Sequence, residues 1–372
     1  MAVTNFGLLT ANELTAWSRE FWELARNRSF VTRFMGTGPN SLIQNVTELT
    51  KTKKGARAIL TLLTDLEGDG VAGDRTLEDN EEALKSQDVE IKIDMLRNAS
   101  RHEGKMAEQR SVVNFREQAR DKLAYWMGDR IDQMAFLSLG GIDYKYKNSA
   151  IGTLRVGSDL KNLDFNIPLA PTSQRSGRWD NTAKKWTPGT ATSAVTATDI
   201  PGWELFVQLK AHAKETYMRG IDVKGEETYD AFLTPAAMAR LKTDSVYRDN
   251  LRHAQTRGAD NELFTGSTVK IDGIRLHEFR HVPNNRLGVS GTSQWGAGSD
   301  IEGCQILFCG AQALGMADLG DPEWNEKEFD FGNQAGIAIG KMLGFIKPQF
   351  TTQYTGGALQ DHGVISAYVS QE

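Results

Sequence analysis

The chain has 372 residues, of which 40% are hydrophobic, and its formal net charge is −5. Because a single core stops growing at about 250–300 residues, we expect two or more lobes. The acidic balance, without a stripe of clustered Lys and Arg, argues against a dedicated binder of nucleic acid or anionic membranes. The sequence has no signal-peptide pattern and no run of about 18 apolar residues, so it predicts a soluble, intracellular protein with no membrane partner.

The first 45 residues predict an N-terminal arm. Thr10 and Glu13 form a capping box, and apolar residues at helical spacing follow as far as residue 25. Residues 28–45 have no periodic pattern and are expected to be extended. An arm of this kind has too little apolar surface to be a domain.

Residues 46–104 predict an antiparallel ribbon with an acidic connection. The run at 56–64 is apolar apart from Arg57, and residues 89–95 alternate between apolar and charged. The connection at 65–86 carries eight carboxylates against two basic residues. Long loops of this kind are usually functional or ordered from outside, and an isolated two-stranded ribbon is only marginally stable. We therefore expect the ribbon to find its partner on another molecule.

The connection also resembles the start of a calcium loop, with carboxylates at alternating positions from Asp65 and a glycine, Gly70, at the sixth position. Thr76 occupies the twelfth position, where a bidentate glutamate belongs, so an EF-hand is not expected. A looser cation site around Asp69 and Asp74 stays open beside the default of a solvated or interface loop. The predicted intersubunit contacts at this tip are Asp69, Asp74, Arg75, Glu78, Asp79, Glu81 and Glu82.

A long amphipathic helix is predicted over 105–139, because this stretch has no proline and its apolar residues recur at steps of three to five. Such a helix would be about 50 Å long, and the pair Gly140-Gly141 supplies a stop signal. It is expected to serve as a structural spine packed against a sheet of the same chain. Its predicted core face consists of Val112, Phe115, Leu123 and Trp126.

The remaining chain predicts an α+β fold, since helices and strands are segregated and do not alternate. Residues 142–200 form a loop-rich insertion with a short strand at 153–156. A helix at 201–218, a strand at 229–233 and a helix at 236–241 follow. After residue 261 the pattern is strand-like to the end of the sequence.

One motif has the form of a metal site. Residues 277–281 (HEFRH) match H-E-x-x-H, in which two histidines one helical turn apart bind zinc and the glutamate is the general base. The preceding residues alternate as in a strand, where His277 and His281 would lie about 13 Å apart, too far to share one zinc ion. The simpler interpretation is a structural cluster of side chains at the end of a strand, without a metal ion. A zinc metalloprotease using His277, Glu278 and His281 is kept as the alternative.

The two cysteines, Cys304 and Cys309, lie in an apolar run and predict buried free thiols in a reducing cytoplasm. Phosphate loops and nucleophile elbows are missing from the sequence, and the glycines of 332–340 fall in a strand pattern. The other histidines are scattered along the chain. The sequence therefore indicates no catalytic residue, no cofactor and no metal.

The ordered set of arm, acidic-tipped ribbon, spine helix and α+β lobe resembles the major capsid proteins of tailed bacteriophages, in particular those of short-tailed phages of the N-four type. Each segment is only moderately specific alone, and their order is the strong signal. The segments are GDGVAGDRTLEDNEEAL (68–84), NASRHEGKMAEQRS (98–111), FREQARDKLAYWMGDRIDQMAF (115–136), and NELFTGS and IDGIRLHEFRHVP within 261–283.

The resemblance implies a Hong Kong 97-type fold without catalytic residues. The domains it implies are an N-terminal arm at 1–45, an E-loop ribbon at 46–104, a peripheral domain at 105–200 with the spine helix and the insertion, an axial domain at 201–325, and return strands at 326–372. The implied function is a structural one: self-assembly into hexamers and pentamers that form the icosahedral shell around double-stranded phage DNA.

The resemblance also implies partners and a location. The chain starts almost directly with the arm, so we expect a separate scaffolding protein, together with a portal and room for decoration proteins. DNA would touch the inner face without sequence specificity, and an acidic chain suits this because a basic lining would hold the polyanion at the wall. The protein would be made in the host cytoplasm and end in the virion capsid. A cargo-enclosing nanocompartment of the same fold is the second shell-forming alternative.

Overall fold

Two β-sheets, with one long helix packed against both, organise the chain. The computed structural model describes residues 21–46, 57–63, 68–82, 86–110, 115–157, 159–254, 269–351 and 358–372. The predicted capping box at Thr10 and the core-face residue Val112 lie outside these residues.

The described part of the chain contains six α-helices: α1 (21–28), α2 (Lys105–Arg110), α3 (Phe115–Gly140), α4 (Trp203–Glu215), α5 (Pro235–Thr243) and α6 (Ser245–Ala254). Short 3-10 helices cover Val31–Phe34, Asp159–Asn162, Ser173–Arg175 and Thr192–Ala194.

The described strands are β1 (Met35–Gly36), β2 (Ile43–Val46), β3 (Arg57–Leu63), β4 (Ser86–Lys92), β5 (Asp94–Arg101), β6 (Tyr146–Lys147), β7 (Ala150–Leu154), β8 (Ser176–Asp180), β9 (Lys185–Pro188), β10 (Ile221–Val223), β11 (Glu226–Leu233), β12 (Val269–Ile271), β13 (Ile274–Glu278), β14 (Gly303–Cys309), β15 (Leu314–Asp318), β16 (Glu323–Phe329), β17 (Gln334–Ile346), β18 (Gln349–Thr351), β19 (Leu359–Asp361) and β20 (Val364–Ser370).

Strand β17 organises the six-stranded sheet, because it pairs with three other strands. It pairs antiparallel with β5 along one edge, and with β16 and then β15 along the other. Leu343 lies where both edges are occupied, opposite Asp94 of β5 and Asp318 of β15. Strands β2 and β1 extend the sheet beyond β15. Segments from the start, the first third and the end of the sequence therefore meet in one sheet.

The eight-stranded sheet has the order β12-β13-β11-β14-β20-β8-β9, with β10 paired to the first half of β11. Strand β14 is buried along its whole length, as its mainly apolar sequence, interrupted by Gln305, predicts for a strand covered on both faces. Strands β8 and β9 belong to this sheet, because β8 runs parallel to β20. The predicted insertion at 142–200 therefore contributes two strands to the sheet that also holds β11 and β14.

Helix α3 contacts strands of both sheets. Its first half is amphipathic: Leu123 is buried, while Phe115 and Trp126 are half-buried and pack against the main core. From Ile131 to Gly140 every residue is buried, as expected for a helix that is enclosed on all sides. The predicted stop is confirmed, since α3 ends at Gly140 and Gly141 adopts the left-handed conformation with φ +67°.

The predicted ribbon is confirmed as the antiparallel pair β3–β4, which places Leu60 opposite Val89. The expectation that the ribbon finds its partner on another molecule is wrong for one face. Ala58, Leu60 and Ile91 are buried against Val46, Ala317 and Ile346 of the same chain. These partners lie in the six-stranded sheet, more than 200 positions away from the ribbon in the case of the last two. A local strand pattern cannot reveal such a partner.

Several element boundaries differ from the predicted ones. The helix predicted at 201–218 ends at Glu215, because Tyr217 takes the left-handed conformation with φ +55°. The helix predicted at 236–241 begins at Pro235, where the Thr234 hydroxyl accepts a hydrogen bond from the Ala237 N–H. Helix α6, which follows it directly, was not predicted, and the short strand predicted at 153–156 lies at β7.

None of the described helices is long and apolar enough to cross a membrane.

Candidate intersubunit surfaces

The tip of the ribbon, residues 68–82, is exposed almost throughout. The N–H of Gly68 donates to the Glu82 carboxylate at 2.7 Å, which closes the base of the tip. A turn follows at 77–80, in which the Asn80 N–H donates to the Leu77 carbonyl at 3.1 Å and Asp79 has φ +69°. This turn presents the Leu77 side chain, which is 66% exposed.

All seven predicted contact residues lie within this tip and have exposed side chains. Six of the seven are acidic, so the tip concentrates negative charge on a short loop. Their role as intersubunit contacts stays a prediction, as does the looser cation site. Among the described residues, no group of three or more His, Cys, Asp or Glu side chains is arranged to hold a metal ion.

The base of the ribbon is fixed by close packing on the six-stranded sheet. A Cβ added to Gly344 would lie 2.2 Å from the Lys92 carbonyl oxygen, so only glycine allows β17 to approach β4 this closely. A Cβ on Gly315 would come within 3.2–3.3 Å of Leu60 and Ile91. The ribbon therefore packs closely on the six-stranded sheet at Gly315 and Gly344. We call this contact surface the seat of the ribbon.

Two side-chain amides also tie β4 to its own subunit. The Asn166 amide donates to the Glu90 carbonyl at 2.9 Å and accepts from the Lys92 N–H at 2.6 Å. The Gln87 amide donates to the Thr351 carbonyl at 2.7 Å and accepts from the Thr351 N–H at 3.0 Å. The Asn166 amide pairs with the backbone of β4 as a neighbouring strand would, whereas the Gln87 amide, which belongs to β4, pairs in the same way with the backbone of Thr351 at the end of β18.

The N-terminal segment is anchored on α3 through a buried carboxylate. Asp132 accepts hydrogen bonds from the Ser29 hydroxyl at 2.6 Å and from the N–H groups of Phe30 and Val31 at 2.9 and 3.0 Å. Burial raises the pKa of Asp132, and these donors oppose the increase. The ring of Phe30 stacks on Phe279 at 4.3 Å between centroids. This segment is therefore part of the core, whereas the sequence predicted an extended arm there.

A second anchor joins α1 to β17. The Lys341 ammonium is buried, lies 3.8 Å from the centroid of the Trp22 ring, and pairs with the Asp318 carboxylate and the Gly320 carbonyl. Burial lowers the pKa of Lys341. A buried charge needs such partners, because an unpaired one is expensive in a protein interior.

The HEFRH motif lies on a strand and the turn after it, as the strand pattern predicted. His277, near the end of β13, contacts the Asp230 carboxylate of β11 at 3.0 Å, while His281 contacts Asp129 of α3 at 2.8 Å. Arg275 binds both oxygens of Asp230 at 2.7 Å. Because each histidine has its own carboxylate, the motif fastens β13 between β11 and the spine helix. The helix that a zinc protease motif requires is not formed at these described residues.

The burial of the two thiols is confirmed. Cys304 and Cys309 are free and buried on β14, and burial raises the pKa of Cys304 to about 11. Neutral, enclosed thiols of this kind are unreactive.

The residues that fix the ribbon were missed at the level of sequence. Gly344 lies inside a strand pattern, and an isolated glycine there is a signal of close backbone approach. That signal was available, although it does not say which segment approaches. Asn166 carries no sequence signal, because its partners on β4 are distant in the chain, and the same holds for Asp132, which anchors the N-terminal segment.

The architecture is that of a Hong Kong 97-type capsid fold. It has two sheets, a spine helix packed against both, and a ribbon whose base packs on its own subunit while its tip is exposed. The capsid of Ralstonia phage GP4 matches with a TM-score of 0.75 and 25% identity over 92% of this chain and 91% of that one. The capsid of cyanophage Pam1 matches with a TM-score of 0.70 and 18% identity over 99% of both chains. The predicted α+β capsid fold is therefore confirmed.

Sequence comparison leads to the same class. The family described as phage capsid protein matches residues 5–370. The major capsid protein of Pseudomonas phage KPP25 is 52% identical over 369 residues, which cover 99% of this chain and 97% of that protein. The chain belongs to the phage capsid protein family, and it is a major capsid protein of the virion shell. The protease alternative receives no support from these relatives.

Proposed function

We propose that this chain builds its shell by self-association into hexamers and pentamers, with the ribbon tip of each subunit contacting a neighbouring copy. One observation carries the proposal: the base of the ribbon is buried on its own subunit, whereas its tip is exposed and strongly charged. An exposed, acidic tip adds nothing to the core of its own subunit. It is suited to an interface between copies.

The shell would be icosahedral and enclose double-stranded DNA, and assembly would take place in the host cytoplasm with a separate scaffolding protein and a portal. Decoration proteins are compatible with this arrangement. The net charge of −5 supports a wall that does not bind the packaged DNA tightly. Stability of the particle would then come largely from interfaces between subunits, which in obligate assemblies bury roughly 2,000 Å² or more.

The experiment that tests the proposal removes the tip. Deleting residues 68–82 should leave a folded subunit, because the seat of the ribbon is intact, and should abolish closed shells in electron micrographs. Replacing the same residues with an equally long Gly-Ser segment tests whether the side chains matter beyond the length of the loop. Unchanged melting of the unassembled subunit is the control for folding. Normal closed particles from the deletion variant would contradict the proposal.

A further inference from the structure

Several cationic side chains surround Tyr125 on the exposed face of the spine helix α3. The guanidinium of Arg28, at the end of α1, lies 5.7 Å from the centroid of the Tyr125 ring. Arg280, in the turn after β13, donates to the Tyr125 hydroxyl at 3.3 Å. Lys122 lies about one helical turn before Tyr125 and is also exposed. Three separate segments of the chain therefore bring cations to one aromatic ring.

A further cation, Arg33, adjoins this group through two aromatic rings. Its guanidinium lies 5.9 Å from the centroid of Phe30, and Phe30 stacks on Phe279 at 4.3 Å between centroids. Phe279 directly precedes Arg280 in the chain. We call this surface the cationic patch, and its members are Arg28, Arg33, Lys122, Tyr125 and Arg280.

One carboxylate, Asp129, lies within the cationic patch and has to serve several cations. It pairs with Arg280, contacts His281 at 2.8 Å and lies 3.8 Å from Arg130. The remaining cations of the patch form no salt bridge within the part of the chain that the structure describes: Arg28, Arg33 and Lys122.

The carboxylates that are close to the patch in sequence have partners of their own. Asp121 pairs with Arg120 at 3.3 Å, and Glu278 lies 3.8 Å from Lys242. They do not neutralise the patch. The patch therefore carries an excess of positive charge in a chain whose net charge is −5.

The cationic patch offers little apolar surface. Tyr125 is 48% exposed, whereas Phe30 and Phe279 are half-buried and pack against the core. A stable protein interface needs well-packed apolar or aromatic anchors at its centre. A nucleic-acid backbone needs cations, and an aromatic ring beside them adds to the contact. The patch therefore fits a phosphate backbone better than an acidic segment of a protein.

We propose that the cationic patch contacts the phosphate backbone of the DNA that the shell encloses. The inference rests on the proposed enclosure of double-stranded DNA and names the surface that touches it. Guanidinium N–H groups that are not used by Tyr125 or Asp129 donate to phosphate oxygens, and no base is read. The contact is weak, because these few cations act in a chain that is acidic overall. This face of the spine helix then lies on the inside of the particle.

The salt dependence of binding tests the contact. The unassembled subunit is titrated onto a labelled duplex of about 20 base pairs, and its affinity is followed by fluorescence anisotropy between about 50 and about 200 mM salt. Each phosphate contact adds about 0.9 to the slope of log affinity against log salt, so Arg28→Gln/Arg33→Gln/Arg280→Gln should reduce the slope by about 2.7. Arg28→Lys/Arg33→Lys/Arg280→Lys keeps the charges and should keep the slope.

Lys185→Gln/Lys224→Gln/Lys327→Gln removes three exposed cations elsewhere and is the matched control, which should leave the slope unchanged. Equal slopes for the patch and control variants, or no binding by the wild-type subunit, would overturn the inference. Tighter binding of polyglutamate than of the duplex would also overturn it and make the patch a site for an acidic protein.

Loss of the pair between Arg280 and Asp129 could lower the stability of the triple variant, which its melting temperature reports. Arg28→Gln/Lys122→Gln avoids this, because neither side chain forms a salt bridge within the described residues. This pair should reduce the slope by about 1.8 and leave the melting temperature unchanged. An unchanged slope in this variant would contradict the patch.

A second measurement follows the Lys122 amine in assembled particles. A small acetylating reagent that enters the shell should modify Lys122 several times more slowly in DNA-filled wild-type shells than in DNA-free ones. Shells of Arg28→Gln/Arg33→Gln/Arg280→Gln should lose most of this protection.

Equal rates in filled and DNA-free wild-type shells would count against the contact. Modification of Lys122 in intact, filled shells by an amine reagent too large to enter them would place the patch outside and overturn the inference. Failure of the wild-type chain to form shells at all would instead contradict the proposed function, while the salt dependence of the subunit would still decide the role of the patch.

Discussion

The base and the tip of the ribbon belong to one hairpin but have opposite surroundings. At the base, Ile91 is buried against the six-stranded sheet, and Gly344 leaves no room for a Cβ. At the tip, Leu77 is 66% exposed among carboxylates. The comparison separates two roles along one element: the base stabilises the subunit, and the tip is available for a neighbour. Substitutions at the two ends should therefore change different measured quantities.

The largest effect is expected where an apolar side chain is fully buried. Ile91→Ala at the base and Leu123→Ala on the spine helix should each lower the free energy of unfolding by about 2–5 kcal/mol. Chemical denaturation of the unassembled subunit measures this. Ile59→Ala is the matched control, because this side chain lies on the same ribbon and is 46% exposed. A loss below about 0.5 kcal/mol for Leu123→Ala would mean that the core face of α3 was assigned wrongly.

A smaller effect is expected from Gly344→Ala. The added methyl group would overlap the Lys92 carbonyl oxygen and push the ribbon away from its seat, at about 1–3 kcal/mol. Increased hydrogen exchange in β3 and β4 would report the displacement. Gly38→Ala adds the same methyl group where no atom lies within 4 Å and should leave exchange in the ribbon unchanged. Unaltered protection of the ribbon in Gly344→Ala would contradict the seat.

The pH dependence should reveal the anchor between the HEFRH segment and the spine helix. Burial alone would raise the pKa of Asp129, but hydrogen bonds and charge from His281 and Arg280 lower it to about 2. Because the folded-state pKa is below the ordinary value of 3.8, the stabilisation is complete above about pH 4 and is lost as the pH falls toward 2. The difference in melting temperature between wild type and Asp129→Asn should shrink over that range. A constant difference from pH 6 to pH 2.5 would count against this anchor.

The smallest effect on subunit stability is expected at the tip. Leu77→Ala should change the free energy of unfolding by less than about 0.5 kcal/mol, because the side chain is mostly exposed in the single subunit. The same substitution should weaken shell assembly, measured by sedimentation. A variant that destabilises the subunit but assembles normally would reverse the roles assigned to the two ends.

The sequence predicted those features that depend on neighbouring residues. Alternation at 89–95 predicted a strand of the ribbon, and the strand pattern before His277 predicted that HEFRH is not helical. The seat of the ribbon could not be predicted, because Gly315, Gly344 and Ile346 meet it only after the chain has folded back. The partners of the two histidines were hidden for the same reason.

The position of β17 and β20 has a consequence for the order of folding. Strand β20 joins β14 to β8, and β17 joins β5 to β15 and β16, so both sheets stay incomplete until residues 334–370 have been synthesised. Pairings over such long separations form late, because loop closure must come first. Until those residues have been made, the ribbon lacks the complete six-stranded sheet against which it packs. A nascent chain would therefore acquire its assembly-competent shape only after residues 334–370 have been made, and until then the uncovered apolar face of the ribbon and the unpaired strand edges favour aggregation.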